Sequence, residues 1–409
     1  MKISPNLCVI CRGRGLCGLA YCPILARQEA TFRLSKISDR RDLFGSTPPS
    51  AFVGRAGYPR VRFGIFVPPE TGDTSIYDMP ERWLDLDMNE ILRLRLSMVL
   101  GYTHVDVREA PRRIVEDLTL AALSERPVDV EVSLRKPPKP TITLSEHEPP
   151  MGPRERVLNA RLASEPKISN VVERVVEDEL KAQEAVIALY NNKLPISYIQ
   201  RLLSIGALGK RVERRLVPTR WSITAVDAMV SDWLLESVRR LPVLDKYMVY
   251  LRAIYDNLFV GILAPRPWGF EWMEAWWPGS TWNAFGSQVE VEGDHEGFNG
   301  RRTYPSIGGC YYASRLATAE HELYRLGKQA MAILLREIGP GFDIPIGVWF
   351  VRENARRMFA EGPALVTDDL REVMEFLDHN TKLGAKKWYE SSRLLKRLSS
   401  ETSITKYVR

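Results

Sequence analysis

The chain has 409 residues, of which 45% are hydrophobic and 26% are charged, with a formal net charge of +6. This is ordinary globular composition with enough apolar residues for a sizeable core. The first residues lack the apolar segment of a signal peptide, and no apolar run approaches the roughly 18 residues that span a bilayer, so we expect a cytoplasmic protein that does not bind membranes.

Strands and helices alternate along the chain without a regular repeat. Strict alternation predicts half-buried strands, whereas apolar residues three and four apart predict helices. Strands are predicted over residues 60–66, 128–134, 141–144, two within 247–263, and 288–292. Helices are predicted over residues 89–100, 169–189, 315–338, 368–376 and 387–398. Because strands and helices are interspersed without a βαβ repeat, the predicted fold class is α+β or mixed α/β.

Four of the five cysteines lie within 15 residues, as Cys8-x2-Cys11-x5-Cys17-x4-Cys22. A C-x2-C pair can clasp one ion from a tight turn, and two further thiolates complete a tetrahedron. Glycines between the cysteines allow a tight backbone, and Arg12 and Arg14 are expected to offset part of the thiolate charge. We predict one structural zinc ion; an iron–sulfur cluster and a redox-active cluster are the alternatives.

A second unusual segment is rich in glycine and proline and covers residues 44–59. Its hydroxyl groups and one arginine stand among residues that restrict the backbone, so the segment can present N–H groups and a guanidinium to a phosphate. A purely structural loop is the alternative. The candidate ligand residues are Ser50, Gly54, Arg55 and Gly57.

Basic residues are clustered. Residues 1–62 hold 11 Lys and Arg against 3 Asp and Glu, and residues 181–220 and 380–409 each hold 8 against 2. Such clusters are the electrostatic footprint expected for a protein that contacts phosphate backbones. The alternative is a well-solvated surface. DNA is therefore a predicted partner.

Several segments together resemble one known family. After the four cysteines come Pro-Pro-Ser-Ala-Phe-Val-Gly-Arg-Ala-Gly-Tyr-Pro at residues 48–59, Gly-Asp-Thr-Ser at 72–75, Leu-Val-Pro-Thr-Arg-Trp-Ser-Ile-Thr-Ala-Val-Asp at 216–227 and Ile-Gly-Val-Trp-Phe-Val-Arg-Glu at 346–353. In these segments the chain resembles the archaeal Nre DNA-repair family. The resemblance implies a role in repairing DNA damage, an N-terminal zinc finger, and docking to the sliding clamp (PCNA) through a C-terminal peptide.

The C-terminal tail fits a clamp-binding peptide in part. Such peptides have Gln, an aliphatic residue three positions on, and two aromatic residues at six and seven. Here Ile404 and Tyr407 fit, whereas Glu401 replaces the glutamine and Val408 replaces the second aromatic residue. Because valine fills less of a pocket than an aromatic ring, the departure predicts weaker docking.

The remaining candidates lie in the core. Five of the ten tryptophans fall between residues 268 and 282, where they can stack on unpaired bases or fill the core. Arg220 and Ser222, followed by Glu290 and Glu292 on one face of a predicted strand, loosely resemble the order found in ADP-ribosyltransferases. They are weak catalytic candidates.

We expect four segments: a zinc-finger module at 1–28, a Gly/Pro-rich part of the core with short strands at 29–150, an α/β core at 151–399, and a flexible clamp-binding tail at 400–409. The function that these observations favour is a DNA-repair factor that binds zinc structurally and docks to the sliding clamp. The alternatives are an enzyme acting on DNA or NAD, nuclease-like or ADP-ribosyltransferase-like, and an RNA-associated zinc protein. Whether the chain is an enzyme stays open.

Overall fold

The computed structural model describes residues 4–19, 22–31, 40–108 and 113–400. These residues form two compact units. The unit that we name the sheet I unit comprises residues 27–230 and 346–350, and the sheet II unit comprises residues 1–26, 231–345 and 351–409. Each unit contains a six-stranded sheet with helices, so the mixed α+β prediction is confirmed.

The strands are β1 (Asp42–Thr47), β2 (Phe52–Val53), β3 (Arg60–Val67), β4 (Val99–Asp106), β5 (Val128–Leu134), β6 (Arg154–Leu162), β7 (Tyr247–Ile254), β8 (Asn257–Ala264), β9 (Gly269–Trp276), β10 (Glu290–Glu296), β11 (Met331–Ile338) and β12 (Leu365–Thr367). The helices are α1 (Pro5–Cys11), α2 (Pro23–Thr31), α3 (Met88–Ser97), α4 (Arg113–Leu123), α5 (Asn170–Glu177), α6 (Ala182–Asn191), α7 (Ile196–Ser204), α8 (Thr219–Val238), α9 (Gly309–His321), α10 (Trp349–Ala360), α11 (Leu370–Asn380), α12 (Ala385–Ser391) and α13 (Arg393–Ser400).

Sheet I has the strand order β1-β5-β6-β4-β3-β2, antiparallel except for the β4–β6 pair. Strand β5 follows its sequence closely, because its valines and Leu134 are buried and its intervening residues are partly exposed. The prediction for residues 141–144 is wrong. This segment forms only an isolated bridge from Thr143 to Met151, and β5 pairs instead with β1 and β6.

Sheet II has the order β10-β9-β11-β8-β7-β12, with β11 parallel to β9 and the other neighbouring pairs antiparallel. Strands β7 and β8 form the predicted pair within residues 247–263, joined by Tyr255 and Asp256, both with positive φ. Two such residues suit the tight turn of a hairpin. Every residue of β9 and β11 is buried, which places these strands at the centre of the unit.

Two long predicted helices are divided. The prediction for residues 169–189 becomes α5 and α6, because the backbone is extended at Asp178 and a capping box between Lys181 and Glu184 starts a new helix. The prediction for residues 315–338 is wrong in its second half, where a π-helical turn at Glu322–Leu326 ends at Gly327 and β11 follows. A fully buried apolar strand lacks alternation, so periodicity alone does not separate it from a buried helix.

No helix within the described part of the chain is long and apolar enough to cross a membrane. The zinc-finger module remains a prediction, since a metal is not shown. The predicted flexible tail, residues 401–409, lies outside the described residues.

Candidate functional site

The four clustered cysteines line one cavity of about 610 Å³ in the sheet II unit. Cys8 and Cys11 belong to α1, Cys17 lies in the loop after it, and Cys22 immediately precedes α2. The cavity is also lined by Trp282, which belongs to a short 3-10 turn after β9. The short spacing in the sequence thus leaves the four cysteines around one cavity.

The backbone between the cysteines is tightly turned. Arg12, Gly13, Gly15 and Gly18 have φ values of 45°, 73°, 85° and 75°, in the left-handed region that favours glycine. Within this turn the Leu16 N–H donates to the Cys11 sulfur over 3.2 Å. The turn thus directs a backbone N–H group at one of the four sulfur atoms.

Without a metal ion, burial and the crowding of the four thiols disfavour a thiolate at Cys8. Burial, followed by the neighbouring Cys22, Cys11 and Cys17, raises the pKa of the Cys8 thiol to about 11. A bound metal ion would reverse this effect, since it stabilises thiolates. Within residues 4–19, 22–31, 40–108 and 113–400, however, no three His, Cys, Asp or Glu side chains stand in a ready-made coordination arrangement. The four thiols nevertheless supply the donor type and number that a zinc ion takes, and metal binding remains a proposal.

Arg12 anchors the cysteine segment to the sheet instead of offsetting the thiolate charge as expected. It is 2% exposed, and its Nη2 lies 2.6 Å from Oε2 of Glu274 on β9. Its Nε donates to the Val9 carbonyl, and its Nη1 donates to the Ile307 carbonyl. Arg336 on β11 approaches the other oxygen of Glu274 at 3.1 Å. The glutamate thus joins two buried guanidinium groups and ties the cysteine turn to sheet II.

The structure places Glu290 and Glu292 on β10, beside the cysteine segment. The Asn6 amide at the start of α1 donates to Glu290 over 3.3 Å. Burial raises the pKa of Glu292, against the effects of Asn6 and Arg12. Arg220 and Ser222 belong to the other unit, so no single unit contains all four of these weak catalytic candidates.

Arg220 and Ser222 lie at the start of α8 in the sheet I unit. Nη2 of Arg220 is 3.8 Å from Oε2 of the buried Glu146, and Nδ1 of His147 is 3.3 Å from the same oxygen. The Ser222 hydroxyl donates to the Thr219 carbonyl. This arrangement is a buried charge cluster in which the serine hydroxyl is engaged with the backbone of its own helix.

Two of the segments that carry the family resemblance, 48–59 and 216–227, meet in this unit, and a third, 346–353, contacts His147 beside them. The Val53 N–H donates to the Thr219 hydroxyl over 2.9 Å, and the Val348 N–H donates to the His147 carbonyl over 3.1 Å. A small cavity of about 80 Å³ lies among these segments and is lined in part by Phe52, Thr219 and Ser222. Such a volume admits a few water molecules and not a nucleotide.

The Gly/Pro-rich loop uses its hydroxyl groups internally. Ser50 is buried, and its Oγ accepts from the Phe66 N–H over 3.3 Å. Gly54 donates to the Arg62 carbonyl over 2.8 Å, and Gly57 has a φ of 83° in the turn before β3. Arg55 is exposed. Ser50 thus supports the loop from within, while Arg55 remains at the surface.

The tryptophan-rich segment fills the core. Trp268, Trp272, Trp276 and Trp282 are each at most 2% exposed, so their faces are not accessible to bases. The core-filling alternative is therefore correct for these four, whereas Trp277 is partly exposed. Tail residues Glu401, Ile404, Tyr407 and Val408 lie outside the described residues.

Sequence reasoning missed several charged residues with structural roles. Glu146, His147 and Glu274 are buried polar residues, and the arginine partners of the two glutamates come from distant parts of the chain. Tyr102 and His104, two positions apart on β4, were also missed; Tyr102 is partly buried and His104 is exposed.

Comparison with known proteins gives matches along most of the chain. Residues 16–283 match the family model described as archaeal Nre, N-terminal, and residues 296–407 match archaeal Nre, C-terminal. The chain is 46% identical over 391 residues to a protein of Archaeoglobus fulgidus named DNA repair protein NreB, covering 95% of this chain and 97% of the relative. It is 34% identical to DNA repair protein NreA of the same organism, covering 98% of each chain.

A third relative, DNA repair protein NreA of Haloferax volcanii, is 34% identical over 82% of this chain and 83% of its own length. No solved structure matches the chain. The family models cover well over half of the sequence, and the first listed relatives are covered nearly end to end. The chain therefore belongs to the archaeal Nre family.

Proposed function

We propose that this protein works in the repair of damaged DNA. The observation that carries the proposal is the 46% identity, over nearly the full length of both chains, to a relative named as a DNA repair protein. The basic segments of the sequence agree with a protein that works close to DNA. The experiment is deletion of the gene and exposure of the strain to ultraviolet light or a crosslinking agent. Lower survival than the parent strain is expected, and equal survival over the full dose range would contradict the proposal.

The second part of the proposal is a structural zinc ion held by Cys8, Cys11, Cys17 and Cys22. Its support is the shared cavity, the glycine-rich turn and the N–H group directed at the Cys11 sulfur. Four thiolates leave no coordination position for a substrate, so the ion would organise the segment and take no part in a reaction.

Metal analysis of the purified protein tests the zinc proposal. One zinc ion per chain is expected, with loss of the metal in the Cys8→Ser and Cys11→Ser variants. The matched control is Cys310→Ser, because Cys310 is a buried cysteine of α9 that does not line the cavity. Iron and labile sulfide in place of zinc would support the iron–sulfur alternative, and metal-free folded protein would refute both.

The third part is docking of the C-terminal peptide to the sliding clamp. The helix that precedes the peptide, α13, is held firmly against strand β9. The Glu271 carboxylate on β9 accepts from the Arg393 N–H over 2.8 Å and the Leu394 N–H over 3.1 Å, and it also accepts from the Ser392 hydroxyl. Leu394, Leu395 and Leu398 of α13 are buried. Residues 401–409 follow an anchored helix directly, which suits a peptide that recruits the folded units to a partner.

Calorimetric titration of the full-length protein into purified clamp tests the docking. Binding is expected for the intact chain, loss of binding for the chain ending at Ser400, and weaker binding for Tyr407→Ala. Lys406→Ala is the matched control, since it removes a neighbouring side chain that the peptide pattern does not use. Unchanged affinity after removal of residues 401–409 would contradict this part of the proposal.

A further inference from the structure

One end of a face of sheet I is open to solvent and carries basic and aromatic side chains. Its residues are Arg60 and Arg62 on β3, Tyr102 and His104 on β4, and Arg156 on β6. Arg62 pairs with His104, and Tyr102 pairs with Arg156, in the strand register. Paired residues on neighbouring strands project to the same face, so these five side chains share it. We name this group the open face.

The other end of this face is covered. Phe66 and Leu100 lie on the same sides of their strands as Arg62 and Tyr102, and they are buried in an apolar cluster with Leu94 of α3. Arg60, His104 and Arg156, in contrast, are exposed. The open face is thus the solvent-exposed continuation of a sheet face whose other end is packed in the core.

The aromatic rings of the open face are arranged with a cation beside them. The Arg62 guanidinium lies 5.3 Å from the centre of the Tyr102 ring, and the Tyr102 and His104 rings meet edge to face at 5.6 Å. Tyr102 is partly buried where it packs against the apolar cluster, and His104 is exposed, so these contacts hold the rings at the edge of the packed core. Held in this way, an aromatic ring offers a stacking surface to a flat ligand at little cost in side-chain entropy.

The electrostatics of the open face favour an anion. Burial lowers the pKa of His104, and the nearby Arg62, Arg156 and Arg60 lower it further. The acidic residue Asp106, which faces Arg60 across the strands, is held by Arg108 at 3.1 Å. The guanidinium groups around His104 therefore outnumber the carboxylates at this end of the sheet.

We propose that the open face binds single-stranded DNA, with bases stacked on Tyr102 and His104 and phosphates held by Arg60, Arg62 and Arg156. Single strands are favoured over duplex because stacking on a sheet surface needs bases that are not paired. Strands lie about 4.8 Å apart, so β3, β4 and β6 span about 10 Å, which suits two or three nucleotides. The choice of DNA rests on the proposed function in DNA repair.

Fluorescence anisotropy of the full-length protein with fluorescein-labelled single-stranded DNA of 15 thymidines tests this proposal. Loss of the stacking ring in Tyr102→Ala is expected to weaken binding about 5- to 150-fold, whereas Tyr102→Phe keeps the ring and should bind like the wild type. In a salt series, the double variant Arg62→Ala/Arg156→Ala should make the slope of log K against log salt shallower by about 1.4, since each phosphate contact contributes about 0.7.

Arg161→Ala is the matched control. Arg161 lies on the same strand as Arg156, is exposed, and already donates to Glu131 over 2.6 Å, so its removal should leave binding unchanged. Melting curves establish that each variant is folded. Wild-type affinity in the double arginine variant would overturn the proposal, as would failure of the wild type to bind at low salt. Tighter binding to the matching RNA or duplex would overturn the choice of single-stranded DNA. None of these binding results depends on the survival of the deletion strain, so the proposed repair function is tested independently.

Discussion

Glu274 faces two buried guanidinium groups, and replacing it with glutamine keeps its shape while removing its charge. In the folded sheet II unit the carboxylate lies 2.6 Å from Arg12 and 3.1 Å from Arg336, and all three side chains are at most 4% exposed. Burial lowers the pKa of Arg336, while Glu274 opposes that effect. Without the carboxylate, two cations are buried with a neutral amide between them.

The expected loss is about 3–5 kcal/mol, the usual cost of removing one partner from a buried ion pair. This is a large fraction of the roughly 5–15 kcal/mol that holds a typical domain folded. Part of it should return in the double variant Glu274→Gln/Arg336→Met, because one of the two uncompensated cations is then absent. The two substitutions should therefore be strongly non-additive.

Urea denaturation followed by tryptophan fluorescence measures this loss. The Trp276 ring lies 5.3 Å from the Arg12 guanidinium and 5.8 Å from that of Arg336, so the cluster contributes one of the ten tryptophans whose summed emission is measured. Glu290→Gln is the control, since Glu290 on β10 is only partly buried. A Glu274→Gln variant within about 1 kcal/mol of the wild type, or additive effects in the double variant, would refute the reasoning.

Three further predictions follow from the sheet II unit. Burial holds the pKa of Glu322 well above its ordinary 4.5. Above pH 4.5 the folded chain therefore retains a proton that the unfolded chain releases. The stability due to this group is present at low pH and is lost as the pH rises towards the folded pKa. Urea midpoints from pH 5 to 9 should therefore fall more steeply for the wild type than for Glu322→Gln, and parallel curves would contradict this. Leu334→Ala on the central strand β11, where the side chain is 1% exposed, should cost about 2–5 kcal/mol in the same denaturation assay, whereas a cost under 1 kcal/mol would mean that the strand is less tightly packed than described. Chelation of the proposed zinc ion should increase amide hydrogen exchange in residues 5–19, and the exchange should stay unchanged in β3 and β4; uniform exchange with and without chelator would argue against a structural metal.

The sequence predicted local features of the fold well. Strand β5 and the β7–β8 pair follow from alternation and turn residues within a short stretch, and the cysteines converge because few residues separate them. Strand β11 was mistaken for a helix because a strand buried on both faces has no alternation to detect.

Long-range partners could not be predicted in the same way. Arg12 was expected to offset the charge of the thiolates, yet it forms an ion pair with Glu274, which is 262 positions away in the chain. Arg220 was grouped with Glu290 and Glu292 on their order in the sequence, whereas they belong to different compact units. The grouping of such residues depends on the strand order of each sheet, which periodicity does not determine. Part of the open face could have been predicted from the sequence, because Tyr102 and His104 are two positions apart and therefore share one side of a strand.

The most direct test of the account is complementation of the deletion strain. Survival after ultraviolet or crosslinking damage is compared for strains carrying the intact gene, Cys8→Ser, the chain ending at Ser400, or the Cys310→Ser control. The account predicts that the intact gene and the control restore survival, and that the other two restore little of it. Full sensitivity in the strain with the intact gene, or no sensitivity in the deletion strain, would contradict the claim that this protein repairs DNA.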